Sequence, residues 1–418
     1  MKRYLIVALV LVGNATAFAQ EEEKAKFGAK LSGFVKTDFF WDSRQTVNAR
    51  ECHFLLWPEP VIEDPNGNDL NGKSSFNFLS LQSRLSVNIT GPNAFGAKTS
   101  GLIEGDFFAQ ANENVNLFRL RHAFVKLNWE HLEILAGQFW NPLFITSCFP
   151  GTVSFNTGTP LQSFSRNPQL RATYKTRGLS IIGAAASQRD YSTAGEIGMN
   201  SEYLRNSAVP DMHLQVHFGT DNESGMNLLA GAGMAYKTIV PRLTNAVPGE
   251  VYAVNEKVGG ITLMVFSKLE TGPITAKLQA RYGENISDLL GISGFGVTGI
   301  TDLTTGERTY TPLKSMTFWG EIHSNGNPQV GVFGGYISNM GSKEEILSSN
   351  LVFGLATDIR SLYRIAPRVT YDVGKLRLAL EVEYTSAAYG SNYNEFYIPD
   401  ETTNADNLRG LAAVYYFF

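Results

Sequence analysis

The sequence predicts an all-β fold: a 16-stranded antiparallel transmembrane β-barrel with short periplasmic turns and long extracellular loops. Three observations lead there. Sixteen runs alternate apolar and polar residues, and the links between them alternate strictly, eight long and seven short. After the N-terminus no stretch of about 18 residues is continuously apolar, so any crossing of a bilayer falls to strands. A soluble sandwich has no reason to gather its long links at one end, whereas an outer-membrane barrel does so.

The clearest unit is residues 362–384. Tyr363, Ile365, Val369, Tyr371 and Val373 alternate with Arg364, Arg368, Thr370 and Asp372. After Gly374 and Lys375, the residues Leu376, Leu378, Leu380, Val382 and Tyr384 alternate with Arg377, Ala379, Glu381 and Glu383. Period two gives strands with one apolar and one polar face, and a two-residue link with Gly first suits a type II′ hairpin turn.

The other runs obey the same rule. The first is 30–41. In 75–90, Leu79, Leu81, Leu85, Val87 and Ile89 oppose Ser80, Gln82, Arg84, Ser86 and Asn88. In 97–108, Glu104 and Asp106 share a face. The run 118–129 and one ending near Phe139 follow. Then 168–176 pairs with 179–188, 208–219 with 226–239 across the turn 221–225, 256–270 with 273–285, and 309–323 with 328–339. After a long link at 390–405, the last run is 406–418. Two places strain the pattern. Pro367 removes a ladder donor, so a bulge sits there or the membrane strand begins after it. In the fourth run Arg119 and Arg121 share parity with Ala123, Val125 and Leu127, a face that changes neighbours, for instance at a subunit contact.

Residues 1–19 read as a secretory signal peptide: Lys2 and Arg3, an apolar stretch from Tyr4 to Val12, and the small-residue site Ala17-Phe18-Ala19. Cleavage removes Lys2 and Arg3 and takes the formal charge from −4 to −6. Residues 20–29 are a short lead-in, and 30–418 form the barrel. An exported chain meets an oxidising compartment, where Cys52 and Cys148 either pair or remain free thiols; the spacing fits no zinc site. No cofactor and no metal is expected.

The polar faces carry Arg84, Arg171, Lys175, Arg360, Arg364, Arg368, Arg377 and Arg409, with Glu104, Asp106, Glu381 and Glu383 as the acids. Opposed fixed charges on a water-filled lumen set a field that orients small solutes. Sixteen strands leave an aqueous channel wide enough to need narrowing. The link 140–167 is the expected constriction loop, rich in Phe, Pro, Thr and Gly, with Arg166 its one charge.

Three stretches of this region resemble the DcaP-like trimeric porins: Gly137-Gln138-Phe139-Trp140-Asn141-Pro142, Pro150-Gly151-Thr152-Val153-Ser154-Phe155-Asn156-Thr157-Gly158, and Ser165-Arg166-Asn167-Pro168-Gln169-Leu170-Arg171. The alternation of Val414, Tyr416 and Phe418 at the end likewise resembles the terminal signature of outer-membrane barrels. The porin resemblance implies a homotrimer in the outer membrane and passive diffusion of small hydrophilic solutes. It also implies a constriction with Arg166 and Arg171 as eyelet residues that favour anions. The expected partners are outer-membrane lipid and small polar solutes, with no nucleic acid. The chain departs from many of those porins in having no room for an N-terminal coiled coil between Gln20 and Lys30.

Two other readings are weighed against a diffusion channel. One is a substrate-specific channel, or a binding or adhesion barrel using loops such as 42–74 and 390–405. The other is an outer-membrane enzyme, for which the six histidines offer little. No G-x-S-x-G or H-E-x-x-H occurs, and His213 and His217, four apart in a strand, are about 13 Å from each other.

Overall fold

The computed structural model describes residues 27–109, 111–220 and 225–418. The expected signal peptide, residues 20–26 of the lead-in and residues 221–224 of one turn lie outside the described residues. Sixteen strands form the wall: β1 Gly28–Asp42, β2 in two pieces Ser75–Leu79 and Arg84–Thr90, β3 Lys98–Asp106, β4 Arg119–Asn128, β5 Leu132–Trp140, β6 Arg166–Thr176, β7 Leu179–Ala186 and β8 Asp211–Gly219. The second half comprises β9 Asn227–Ile239, β10 Val258–Glu270, β11 Ile274–Glu284, β12 Glu307–Ser324, β13 Gln329–Ser342, β14 Ile359–Val373, β15 Leu376–Tyr393 and β16 Pro399–Phe417. Each pairs antiparallel with its chain neighbours, and β16 returns to β1 from Phe34↔Phe417 to Asp42↔Arg409. The sheet closes, so neither edge is left with unpaired backbone groups.

The period-two pattern sorts the faces. In β14, Tyr363 and Ile365 are 44% and 49% exposed on the outside, while Arg364 and Arg368 are 1% and 5% exposed inside. In β15, Leu378, Leu380 and Val382 face out and Glu381 and Glu383 face in. Gly374 has φ 60° and Lys375 is not left-handed, as the type II′ turn requires. Pro367 causes no bulge. Ile365↔Tyr384 and Arg368↔Glu381 keep one register, and around the proline pairs to β15 are missing at Ala366 and Pro367.

Local insertions explain where simple alternation fails. Against β3, the register of β4 shifts by one between Glu104↔His122 and Gly105↔Leu120. Arg121 is the extra residue. The bulge lets Arg119, Arg121 and His122 all face inward, while Leu120 and Val125 stay outside. The expected change of neighbours for the arginines is thus a bulge, and they lie inside the wall. The Gln138 amide closes it by donating to the Arg121 carbonyl at 2.9 Å. In β2 the break at residues 80–83 also adds one residue against β1. Phe76 and Phe78 therefore face out, and Leu79 and Leu81 turn inward, contrary to the single face expected for Leu79 to Ile89.

The link expected at 390–405 is largely strand. β15 and β16 stay paired through Tyr389↔Thr403, Gly390↔Thr402 and Tyr393↔Pro399, leaving residues 394–398 as the turn of a tall hairpin. Loops at the same rim carry further hairpins, Thr46–Ala49 with Phe54–Pro58 and Thr244–Val247 with Glu250–Ala253. Asn48, Asn245, Gly390 and Asn404 lie in the ladders themselves, while Gly249 and Asn394 lie in their turns.

Deleting Arg121 is expected to leave a regular β4 and a folded barrel, since only the extra residue goes. Deleting Val125, inside the regular ladder, slips the register and sends one half of the strand to the wrong face. Heat-modifiable migration in gels checks this: a folded band for the first deletion and none for the second.

Candidate functional site

The connection 141–165 leaves the end of β5 and folds into the lumen. Its composition drives it there. Leu143, Phe144, Ile145, Phe155, Leu161 and Phe164 are buried, and they pack on Trp319, Phe333, Met264 and Phe266, which the wall turns inward. Burying a large apolar side chain is worth about 1.5–3 kcal/mol. The loop has almost no charge to desolvate in return.

Wall charges then fix its path. Glu381 accepts the Val153 and Ser154 backbone N–H groups at 2.7 and 2.9 Å. Glu321 accepts the Gly151 N–H at 2.5 Å, and Glu383 accepts the Asn156 amide at 2.8 Å. Cations hold the carbonyls: Arg364 donates to Thr159 at 2.5 Å, Lys36 to Val153 at 2.9 Å and Lys277 to Phe149 at 3.0 Å. Carboxylates and guanidinium groups bonding backbone in a buried setting are strong anchors.

A second loop enters as well. Phe54, Leu56 and Trp57 of the first connection join the same apolar cluster. Arg364 also donates to the Leu56 carbonyl at 2.6 Å, so one side chain ties both loops. Residues Ile286, Leu289, Leu290 and Ile292 of a later connection complete the filling. These residues thus fill the lumen against Met264 and Phe266 of β10, Trp319 of β12 and Phe333 of β13. Space remains beside β2–β8, bordered also by Arg377 of β15 and Tyr415 of β16. A cavity of about 510 Å³ is lined by Arg84, Glu104, Arg121, His122, Trp140 and Tyr415, among others. A second, about 250 Å³, is lined by Lys126, Glu133, Arg171, Lys175 and His217.

The expected site residues therefore fall into three groups. Arg84, Glu104 and Arg377 border the larger cavity, and Arg171 and Lys175 the smaller. Arg364, Arg368, Glu381 and Glu383 are buried tethers of the inward loop; Arg368 bonds Glu321 at 2.6 Å and Arg364 bonds Glu383 at 3.2 Å. Asp106 and Arg166 belong to an ion cluster near the loop rim. Asp106 binds Arg119 at 2.8 Å and Arg121 at 2.9 Å, and Arg166 binds Asp190 at 2.6 Å. Arg166 also stacks over Trp140, 4.8 Å from the ring centre. Burial alone raises the Asp190 carboxyl, but Arg166 and Arg119 hold it below the ordinary carboxylate range.

Arg119, Arg121, Lys126, Asp190 and Glu321 take part without having been singled out as site residues. The parity conflict in the fourth run was the available signal for the first two. Asp190 and Glu321 gave none, because a loop acid and a strand acid look alike until partners are known. Cys52 and Cys148 are both free thiols in the structure. Burial pushes the Cys148 thiol up to about 11, and its Sγ donates to the Ser267 carbonyl.

No family model and no curated sequence matches the chain. Solved structures do. The outer-membrane channel DcaP of Acinetobacter baumannii aligns with a TM-score of 0.66 and 16% identity, over 94% of this chain and 97% of that one. The anion-selective porin from Comamonas acidovorans gives 0.54 and 12%, over 94% and 100%. The trimer form of OmpT from Vibrio cholerae gives 0.53 and 10%, over 94% and 99%. The fold is that of the outer-membrane porins.

Glu381→Ala removes two charge-assisted bonds, about 3 kcal/mol of loop anchoring. Limited proteolysis is expected to cut the variant near residues 150–154, with the wild type resistant there. Equal resistance would show that the apolar packing alone holds the loop.

Proposed function

We propose that this protein is an outer-membrane channel through which small hydrophilic anions diffuse passively, assembled as a homotrimer after cleavage of its signal peptide. The outward apolar belt suits contact with lipid, and a closed ladder meets the demand that each backbone group be paired there. One observation carries the selectivity. The acids Glu321, Glu381 and Glu383 on the β12 and β15 wall are taken up by loop N–H groups and arginines. Among the described residues, these two cavities are lined by Arg84, Arg121, Lys126, Arg171, Lys175 and Arg377 against Glu104 and Glu133, with Asp106 pairing Arg121 and Asp372 pairing Arg377. A water-filled passage with that excess of fixed cations concentrates anions. The Comamonas neighbour is described as anion-selective and the Vibrio neighbour as a trimer. Both support the reading.

The same geometry favours a substrate-specific channel as the second reading, because the inward connections leave only part of the lumen open. Liposome swelling across sugars and carboxylates of graded size separates the two. A smooth fall of rate with size marks general diffusion. Rapid entry of one class out of order with size marks specificity.

In planar bilayers under a salt gradient, the wild type is expected to show a reversal potential of anion-selective sign. Arg84→Ala, Lys126→Ala and Arg171→Ala each move it toward zero, additively in combination. A cation-selective wild type, or a protein that never conducts, overturns the proposal.

A further inference from the structure

The inward loop carries four phenylalanines, Phe144, Phe149, Phe155 and Phe164. Phe144, Phe155 and Phe164 are 3%, 4% and 1% exposed, whereas Phe149 is 37% exposed and borders the 510 Å³ cavity. An uncovered ring in a wet lumen costs free energy and returns no packing. Slack in the backbone does not explain it. Cys148 and Pro150 on either side are buried, the Phe149 carbonyl accepts from Lys277 at 3.0 Å, and the Gly151 N–H bonds Glu321 at 2.5 Å. The chain is pinned around Phe149 while the side chain stands at the cavity.

The ring also ends a ladder. Trp140 and Phe144, which line the same cavity, stack with centroids 3.9 Å apart and planes 9° apart, and Phe149 follows at 5.3 Å from Phe144. Among the described residues Phe144 is the one ring in contact with Phe149. The cations of this cavity are placed differently, because each already meets a carboxylate. Arg121 bonds Glu104 at 2.8 Å and Asp106 at 2.9 Å, Arg377 forks onto Asp372 at 2.6 and 2.8 Å, and Arg84 lies 3.6 Å from Glu104. They contribute a field. The surface left without a partner is the Phe149 ring.

We infer that Phe149 is a specificity-determining residue: its ring is a stacking surface for small solutes that carry an aromatic ring beside a negative charge, which the channel therefore retains in preference to aliphatic anions of the same charge. This rests on the anion-channel reading above. A solute ring extends the Trp140–Phe144–Phe149 ladder in the offset or tilted geometry that aromatic pairs favour. Its charged end stays in the water of the cavity, in the field of Arg84, Arg121 and Arg377. A volume of about 510 Å³ lies within the range of about 300–1,000 Å³ that small-molecule sites occupy. The pinned backbone holds the ring in place before the solute arrives, so little ordering is needed on binding.

The test compares benzenesulfonate with methanesulfonate, two permanently charged anions that differ by the ring, as blockers of chloride current in planar bilayers. Benzenesulfonate is expected to block the wild type at concentrations where methanesulfonate does not. Phe149→Ala should weaken that block about fivefold, the scale of one aromatic pair, and Phe149→Tyr should keep it. Equal block by both anions, or equal benzenesulfonate block in wild type and Phe149→Ala, overturns the site. Saturation-transfer NMR on the detergent-solubilised protein reads binding without conduction. Transfer to the benzenesulfonate ring protons is expected in the wild type and Phe149→Tyr and lost in Phe149→Ala. Equal transfer to glucose, which stacks on rings but carries no charge, overturns the solute class. Reversal potentials on the same proteins keep the two readings apart. Anion preference without a Phe149 effect sinks only the ring site, whereas absence of anion preference sinks the channel reading beneath it.

Discussion

Everything in this molecule depends on the seam where β16 meets β1. A sheet in hydrocarbon has no tolerance for an open edge, because an unpaired N–H or C=O there has no water to turn to. The seam runs from Phe34↔Phe417 to Asp42↔Arg409, and at its end beside the first connection Asp42 and Arg409 form a buried ion pair at 2.6 Å. Arg409 also donates to the Cys52 carbonyl at 2.8 Å, so the seam holds the start of the first inward loop. Closure fixes which side of each strand is the interior. The placement of the wall charges then follows from period two and from the bulges in the ladder.

Filling the interior follows a second rule. Glu381 and Glu383 are two residues apart on one strand face, a repulsive arrangement in a poorly hydrated space. The structure resolves it by giving each carboxylate a loop partner, with Arg364 beside Glu383. The apolar side chains of the loop then cover the aromatic patch around Trp319 and Phe333. Acids that look pore-lining become structural, and the unfilled side of the lumen keeps the cations. In the proposed channel, the asymmetry between the two walls, more than the overall net charge, sets the field a solute meets.

Much of this was legible in the sequence. Sixteen strands, their order and the inward loop at 140–167 follow from alternation, turn residues and the near absence of charge in that loop. The facing of Arg364, Arg368, Glu381 and Glu383 was also readable, since β14 and β15 are regular. Their role was not. A sequence shows that a carboxylate points inward but not that a backbone N–H waits for it from a loop more than two hundred residues away. Arg119 and Arg121 announced themselves only as a conflict, because one inserted residue reverses parity and period two carries no mark of where it sits. The strands at 390–405 were hidden by glycine and asparagine, which serve hairpin ladders beyond an apolar belt as well as they serve loops. Asp190 lay in a connection with no periodicity to place it.

The central claim is that solute anions travel along the β2–β8 wall because the acids opposite are already occupied. Iodide soaked into crystals of the protein locates those anions by anomalous scattering. The account expects peaks beside Arg84, Lys126, Arg171 and Lys175, and none beside Glu321, Glu381 and Glu383. Iodide beside those three acids, or absent from the β2–β8 cavities, would contradict it.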